Sequence, residues 1–272
     1  MDIIMIEKIT ILGGLNKNRN SEPVKRLVVS KGEILSIVGL TGSGKSQLIS
    51  DVGQWAAGET PSKRSVLIND LPALEYAKQS ALRHMVAEVS QNMNFVIDMS
   101  VSDFLHLHAQ SRELQKADAV VNEVIRCANH LTGEPIKAED NLTTLSGGQS
   151  RSLMVADVAL ISNAPVVLID EIENAGINRL EALKFLAVQG KVVLVVTHDP
   201  VLALMADRRV IMKKGGISKL ITTTEEEKKV LEELVTIDQL LFSLREELRE
   251  GQEIKQIIMK EVKQYYVESV LT

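Results

Sequence analysis

Three short runs rich in Val, Ile and Leu punctuate the chain, at residues 34–38, 166–169 and 192–196, broken only by Ser36. Strands buried on both faces of a parallel sheet have this continuous apolar character, whereas half-exposed strands alternate. Residues 3–12, 24–29 and 66–68 are apolar with charges interleaved, which predicts a separate small antiparallel sheet. Between about residues 101 and 129 the apolar spacing becomes helical, with Ser102 as the expected N-cap. No internal repeat or low-complexity tract is visible.

The pattern changes after Thr224. Glu225-Glu226-Glu227-Lys228-Lys229 opens a segment in which Leu234, Ile237, Leu241, Leu244 and Leu248 share one helical face. Gly251 interrupts this stripe, and Ile254, Ile258, Val262 and Tyr265 resume it. Two amphipathic helices are predicted, too short in heptads for a coiled coil. They either pack on their own domain or serve as a docking or dimer-forming element.

The first strand runs into Gly39-Leu40-Thr41-Gly42-Ser43-Gly44-Lys45-Ser46, which matches G-x-x-x-x-G-K-[ST]. Glycines let the backbone curl until successive N–H groups face one centre. Lys45 then reaches the β- and γ-phosphates, the Ser46 hydroxyl can ligate Mg²⁺, and the helix from Gln47 onward points its positive end at the same anion. The second strand ends in Asp170-Glu171, which delivers two acids to the carboxyl edge of the sheet, where α/β ligands bind. Asp170 is the candidate Mg²⁺ holder and Glu171 the candidate base for the attacking water. The third strand ends in Thr197-His198-Asp199, placing His198 at the same edge. His84, His106, His108 and His130 have no acids or cysteines at ligand spacing and read as structural or solvated, with no transition-metal site expected.

Composition narrows the setting. The 272 residues are 45% hydrophobic and 25% charged, as in a globular protein with one sizeable core. A net charge of -5 gives no whole-chain basic footprint, so nucleic acid is not indicated. Cys127 is the lone cysteine, as expected in a reducing cytosol. The amino terminus carries acids where a secretion signal has bases, and no apolar run approaches the ~18 residues of a membrane span. Any membrane part is expected on a separate transmembrane subunit, leaving this chain cytoplasmic or peripheral at the inner face.

Leu145-Ser146-Gly147-Gly148-Gln149, just ahead of the acid-bearing strand, resembles the signature of the ATP-binding cassette (ABC) ATPases. Its physical sense is a serine hydroxyl and glycine N–H groups at a helix start, a second anion cradle. The resemblance covers roughly residues 1–220, with the motifs in the family's order. It implies an α/β, P-loop NTPase fold of ABC type: a parallel-sheet core, an N-terminal antiparallel β subdomain and a helical signature subdomain at about 92–160. Residues 1–222 would form the ATPase domain and 223–272 a C-terminal helical extension. The resemblance implies ATP and Mg²⁺ as cofactors, and a second cassette, as an ATP-dependent homodimer. Each ATP would lie between Gly39, Thr41, Gly42, Ser43, Gly44, Lys45, Ser46 and Gln47 of one copy and Ser146, Gly147, Gly148 and Gln149 of the other. Gln91 matches the glutamine linking the γ-phosphate and Mg²⁺ to the helical subdomain. Ser46, Gln91 and Asp170 would hold the metal, with Glu171, His198 and Gln91 in catalysis. Arg151 also fits the pattern.

Three departures stand out. Ile172 replaces the usual proline after the catalytic glutamate. Glu173-Asn174-Ala175-Gly176-Ile177-Asn178 replaces the S-A-L-D-like loop that meets the other cassette. No Phe, Tyr or Trp lies between Met1 and Gly39 to stack on adenine, which leaves an aliphatic residue near Leu15 or weak base recognition. Two functions are expected from the resemblance. One is the ATP-binding subunit of a transporter, favoured by residues 94–101, which resemble the segment touching a membrane partner. The other is a soluble cassette that remodels or activates a protein or nucleic-acid partner, favoured by the three departures and the tail.

Overall fold

A computed structural model describes residues 6–73, 75, 85–90, 93–170, 177–249 and 251. The chain divides into two compact units, Met1–Thr223 and Thr224–Thr272.

In the first unit, β1 (Lys8–Leu12), β2 (Arg26–Ser30), β4 (Ser65–Ile68) and β5 (Leu71–Pro72) form an antiparallel sheet in the order β2-β1-β4-β5. Its paired positions Ile9, Val29 and Ile68 face inward, as the interleaved charges required. The second sheet has the order β10-β9-β3-β8-β7-β6. Its strands are β3 (Ile34–Val38), β6 (Val86–Ser90), β7 (Val166–Asp170), β8 (Val192–Val196), β9 (Arg208–Lys213) and β10 (Gly216–Thr222). All are parallel except β10, which pairs antiparallel to β9.

Alternation along the buried strands sorts the core into two faces. Leu35, Ile37, Leu168, Leu194 and Val196 pack with the antiparallel sheet and with α1 (Lys45–Gly53). Val167, Ile169, Val193 and Val195 pack on the other side, under α5 (Arg179–Val188) and α6 (Pro200–Met205).

A helical layer holds α2 (Val101–Ser111), α3 (Ala117–Leu131) and α4 (Gly147–Leu160) around Leu105, Val121, Val124, Leu142 and Leu153. Helix α4 is buried on two sides: Leu153 and Ala156 enter this layer, while Val155, Val158 and Ala159 enter the sheet's core. The expected cap moves by two residues. Ser100, not Ser102, accepts from the Asp103 N–H, and the Ser102 hydroxyl turns to His106 Nδ1 at 3.2 Å. An N-cap must stand outside the helical dihedrals, and Val101 already lies inside them.

The second unit contains α7 (Glu225–Arg249). Thr224 Oγ1 accepts from the Glu227 N–H and the Thr224 N–H donates to Glu227, a capping box. The expected second helix, with Ile254, Ile258, Val262 and Tyr265, lies outside the described residues.

Candidate nucleotide site

The phosphate loop leaves β3 at Gly39 and enters α1 at Lys45. Gly44, in the left-handed region at φ 101°, stands at the N-cap of α1, and no side chain caps that helix. A Cβ at Gly44 would lie 2.7 Å from the Gly215 Cα, so the loop rests directly on the β9–β10 turn. The Gly215 N–H also donates to the Ser43 carbonyl at 2.8 Å. Inside the loop the buried Lys45 Nζ donates to the carbonyls of Gly39 at 2.9 Å and Leu40 at 3.4 Å. Ser43 Oγ is buried with no hydrogen-bond partner among the described residues. An unmatched hydroxyl and an uncapped helix start are what a phosphate would complete.

Lys45 Nζ also reaches His198 Nε2, at 3.1 Å. An ammonium only donates, so Nε2 accepts and the ring proton sits on Nδ1. Two motifs 153 residues apart therefore meet at one point. The β7 register brings Asp170 opposite Val196 of β8 and Ser90 of β6, at the same carboxyl edge. Ser46 is exposed at the head of α1, as are Thr41 and Gly42 in the loop. Gln47 turns its amide down the helix instead, donating to Asp51 at 2.9 Å. Gln91 and Glu171, with residues 172–176 of the atypical loop, lie outside the described residues. Where the description resumes, Asn178 caps α5, and Arg179 pairs with Asp199, the neighbour of His198.

The backbone just after the first strand is closely packed. Strand β1 is followed by Gly13-Gly14, and a Cβ there would stand 2.2 Å from the Val24 carbonyl oxygen or 2.0 Å from that of Ser62. No side chain of any kind fits. The chain then passes half-buried Leu15 into a tight turn, in which Asn16 Oδ1 accepts from the N–H groups of Asn18 and Asn20. From this turn Lys17 Nζ donates to the Gly42 carbonyl at 2.8 Å.

The signature segment heads α4. Ser146 Oγ accepts from the Gln149 N–H at 3.2 Å, and Gln149 Oε1 accepts from the Ser146 N–H at 2.8 Å. Gly147 is exposed and Gly148 half-buried beside it. A Cβ at Gly147 would press on the Arg151 guanidinium at 2.9 Å.

Two of the four spare histidines pair with acids that sequence spacing hid, while His84 lies outside the described residues. His106 pairs with Asp118 across α2 and α3, and this carboxylate together with the Ser102 carbonyl raises its pKa. His108 Nδ1 meets Asp157 of α4 at 2.7 Å. Both contacts join helices within the helical layer. Sequence reading also missed Arg64. It is fully buried and paired with Glu22 and Asp51, but a Ser-Lys-Arg run between two strands looks like solvated surface.

Comparison with known proteins agrees with this geometry. The ABC transporter family profile matches residues 25–174. An uncharacterized ABC transporter ATP-binding protein of Methanocaldococcus jannaschii is 56% identical over 250 residues, covering 92% of this chain and 95% of its own. The macrolide export ATP-binding/permease protein MacB of Campylobacter jejuni is 30% identical over 206 residues, which span 70% of this chain but 30% of that one. A dimeric ATP-binding cassette solved in a post-hydrolysis state with ADP and Pi superposes with a TM-score of 0.59. It is 24% identical, with 79% of this chain and 99% of that one covered, and this likeness speaks for the fold. With phosphate loop, acid-bearing strand, histidine edge and signature helix in one α/β frame, the chain belongs to the ABC transporter family and is an ATP hydrolase of the ABC type.

Proposed function

We propose that this chain hydrolyses MgATP as one half of a head-to-tail pair, and so powers a separate transmembrane subunit from the cytoplasmic face of a membrane. The observation that carries this reading is the meeting of Lys45 Nζ and His198 Nε2 at 3.1 Å, on the sheet edge where β7 delivers Asp170. A triphosphate laid along the loop takes the N–H groups of Gly42 to Gln47, with Gly39 and Thr41 shaping the turn. Lys45 turns from its carbonyl partners to the β- and γ-phosphates, and His198 is left facing the γ-phosphate. The Ser46 hydroxyl and the Asp170 carboxylate fit Mg²⁺, because one hydroxyl and one carboxylate beside phosphate oxygens and water is the sparse set this cation takes. Gln91 joins that set in the family pattern. Held there, Mg²⁺ would supply positive charge against the charge that develops on the phosphates. Glu171, one residue past Asp170, orients and deprotonates the attacking water.

Ser146, Gly147, Gly148 and Gln149 close over the ATP of the second copy. Within one chain a second anion cradle has no further phosphate to hold, so the pair is needed to use both. Transport is favoured by the names of the relatives and by exposed apolar side chains in the segment 94–101, where Val96 is 90% and Ile97 44% exposed. The soluble alternative draws on α7, where Ile237, Leu241 and Leu248 are exposed along one stripe suited to a protein partner.

The test is size in solution. Glu171→Gln should run as a dimer with MgATP and as a monomer without it. A monomer at saturating MgATP would overturn the homodimer. Recovery of a several-helix membrane protein with the tagged chain, from solubilised membranes, would separate transport from soluble work.

A further inference from the structure

Behind the phosphate loop lies a buried ionic group that the reaction chemistry does not use. The Arg64 guanidinium donates to Glu22 Oε1 at 2.5 Å and Oε2 at 3.3 Å, and to Asp51 Oδ2 at 2.8 Å. All three side chains are wholly buried. Each partner belongs to a different piece of the nucleotide site. Asp51 sits in α1, one turn below Gln47, whose amide it also holds. Glu22 closes the turn after Gly13-Gly14, accepting from the Gly14 N–H at 3.0 Å and the Ile217 N–H at 2.8 Å. Arg64 itself donates to the Gly215 carbonyl at 3.0 Å, in the turn whose N–H holds the Ser43 carbonyl.

Stability alone is a poor reason for such a group. Neutral side chains of similar shape often replace buried ion networks without loss, because desolvation cancels the attraction. What a bidentate, planar guanidinium adds is fixed geometry. We infer that Arg64, with Glu22 and Asp51, is a positioning device: it sets the phosphate loop and α1 against the turn after Gly13-Gly14 and the β9–β10 turn before any nucleotide arrives. With no Phe, Tyr or Trp ahead of Gly39 to stack on the base, the phosphates must supply most of the binding, and a preset loop keeps them from losing it to ordering. The inference rests on the loop being the nucleotide site, and it concerns binding more than the chemical step.

The test uses the full chain with three measurements: melting temperature, ADP affinity, and KM against kcat for ATP and GTP. The informative variant is the neutral triple Glu22→Gln, Arg64→Met, Asp51→Asn, which leaves no buried charge unpaired. It should melt within a few degrees of wild type, bind ADP about tenfold more weakly and raise KM by a similar factor. Its kcat should stay within about twofold, and ATP and GTP should lose equally. Arg64→Lys keeps the charge without the fork and should fall between the two in KM; it carries the test if the triple variant does not fold. Wild-type ADP affinity and KM in a folded variant would overturn the proposal, whatever its melting temperature. So would a loss confined to kcat, or one confined to ATP. Absence of hydrolysis in the wild type would instead refute the proposed function, while ADP affinity would still read the positioning role.

Discussion

The two helices whose starts are proposed to hold phosphate are prepared in opposite ways. Helix α1 starts at a left-handed glycine, with no side-chain cap and with the Ser43 hydroxyl unmatched beside it. Helix α4 starts in a complete capping box, with the Gln149 N–H and the Ser146 N–H already satisfied. The first cradle is left short of partners and gains the full worth of every hydrogen bond a phosphate makes. The second is content alone. It retains the Ser146 hydroxyl proton and the N–H groups of Gly147 and Gly148 for a ligand, a smaller reserve. Affinity should therefore reside in the phosphate loop, and the signature helix should govern pairing once ATP is held.

The largest effect expected is on turnover. Glu171→Gln should cut the steady-state hydrolysis rate by about 10²–10⁴ while ATP still binds, so that the signature helix stays engaged. Hydrolysis at the wild-type rate would remove Glu171 as the base. Next comes the direct contrast between the cradles. Lys45→Ala should weaken ADP binding to the single chain about a hundredfold, ~2.7 kcal/mol, the worth of one to two charge-assisted hydrogen bonds. Ser146→Ala should leave that affinity within about twofold and instead lower ATP-dependent pairing. Its lost cap should cost about 1 kcal/mol of stability. Calorimetry with ADP gives the first comparison and sedimentation with MgATP the second. Equal losses of ADP affinity in the two variants would erase the distinction.

A smaller effect is expected at the base. With no aromatic before Gly39 to stack on the base, GTP should compete with ATP to within roughly tenfold, about 1.4 kcal/mol. Competition assays that find a thousandfold preference would place an adenine pocket in the turn around Asn16 to Asn20. The last effect is a control from outside the cradles, expected to be nil on nucleotide binding. Lys191 is buried before β8, with Nζ donating to the carbonyls of Ser162 and Ala164. Burial lowers its pKa from 10.5 to about 8. Between these values the unfolded chain binds more protons than the folded one, so this residue's contribution to stability should rise as pH rises from about 8 to about 10.5. Melting curves of wild type minus Lys191→Met should show that rise, and ADP affinity should not differ between the two proteins. A flat difference would mean that the two carbonyl partners cancel the cost of burial.

The contrast between the cradles also marks what the sequence could and could not disclose. Glycines before Lys45, the acid after a run of buried aliphatics and the Leu-Ser-Gly-Gly-Gln string are local signals, because each motif is built by consecutive residues. The central strands β3, β7 and β8 were equally legible, being apolar on both faces. Strands β9 and β10 were not, since Arg208, Arg209 and Lys219 interrupt them at positions that reach solvent. The break between α2 and α3 was hidden for another reason. It is made by Glu113 and Lys116 in the left-handed region, at φ 55° and 59°, where glycine or asparagine would have been the signal. Arg64 was beyond sequence reading altogether. Its partners lie 42 residues upstream and 13 residues upstream, and no periodicity reveals that a charge is buried.

The bond from Gly215 to Ser43 has a consequence for how the molecule is made. All eight residues of the phosphate loop leave the ribosome early, yet the turn that braces them is about 170 positions later in the chain. At roughly 5–20 residues per second, synthesis spends some ten to thirty seconds with the loop made and its brace unmade. A nascent chain stopped short of Gly215 would carry every phosphate-contacting atom of the loop without the backing that shapes it. On the proposed reading of the loop, ATP should then stabilise only chains in which β9 and β10 are in place, and give nothing to half-finished folds.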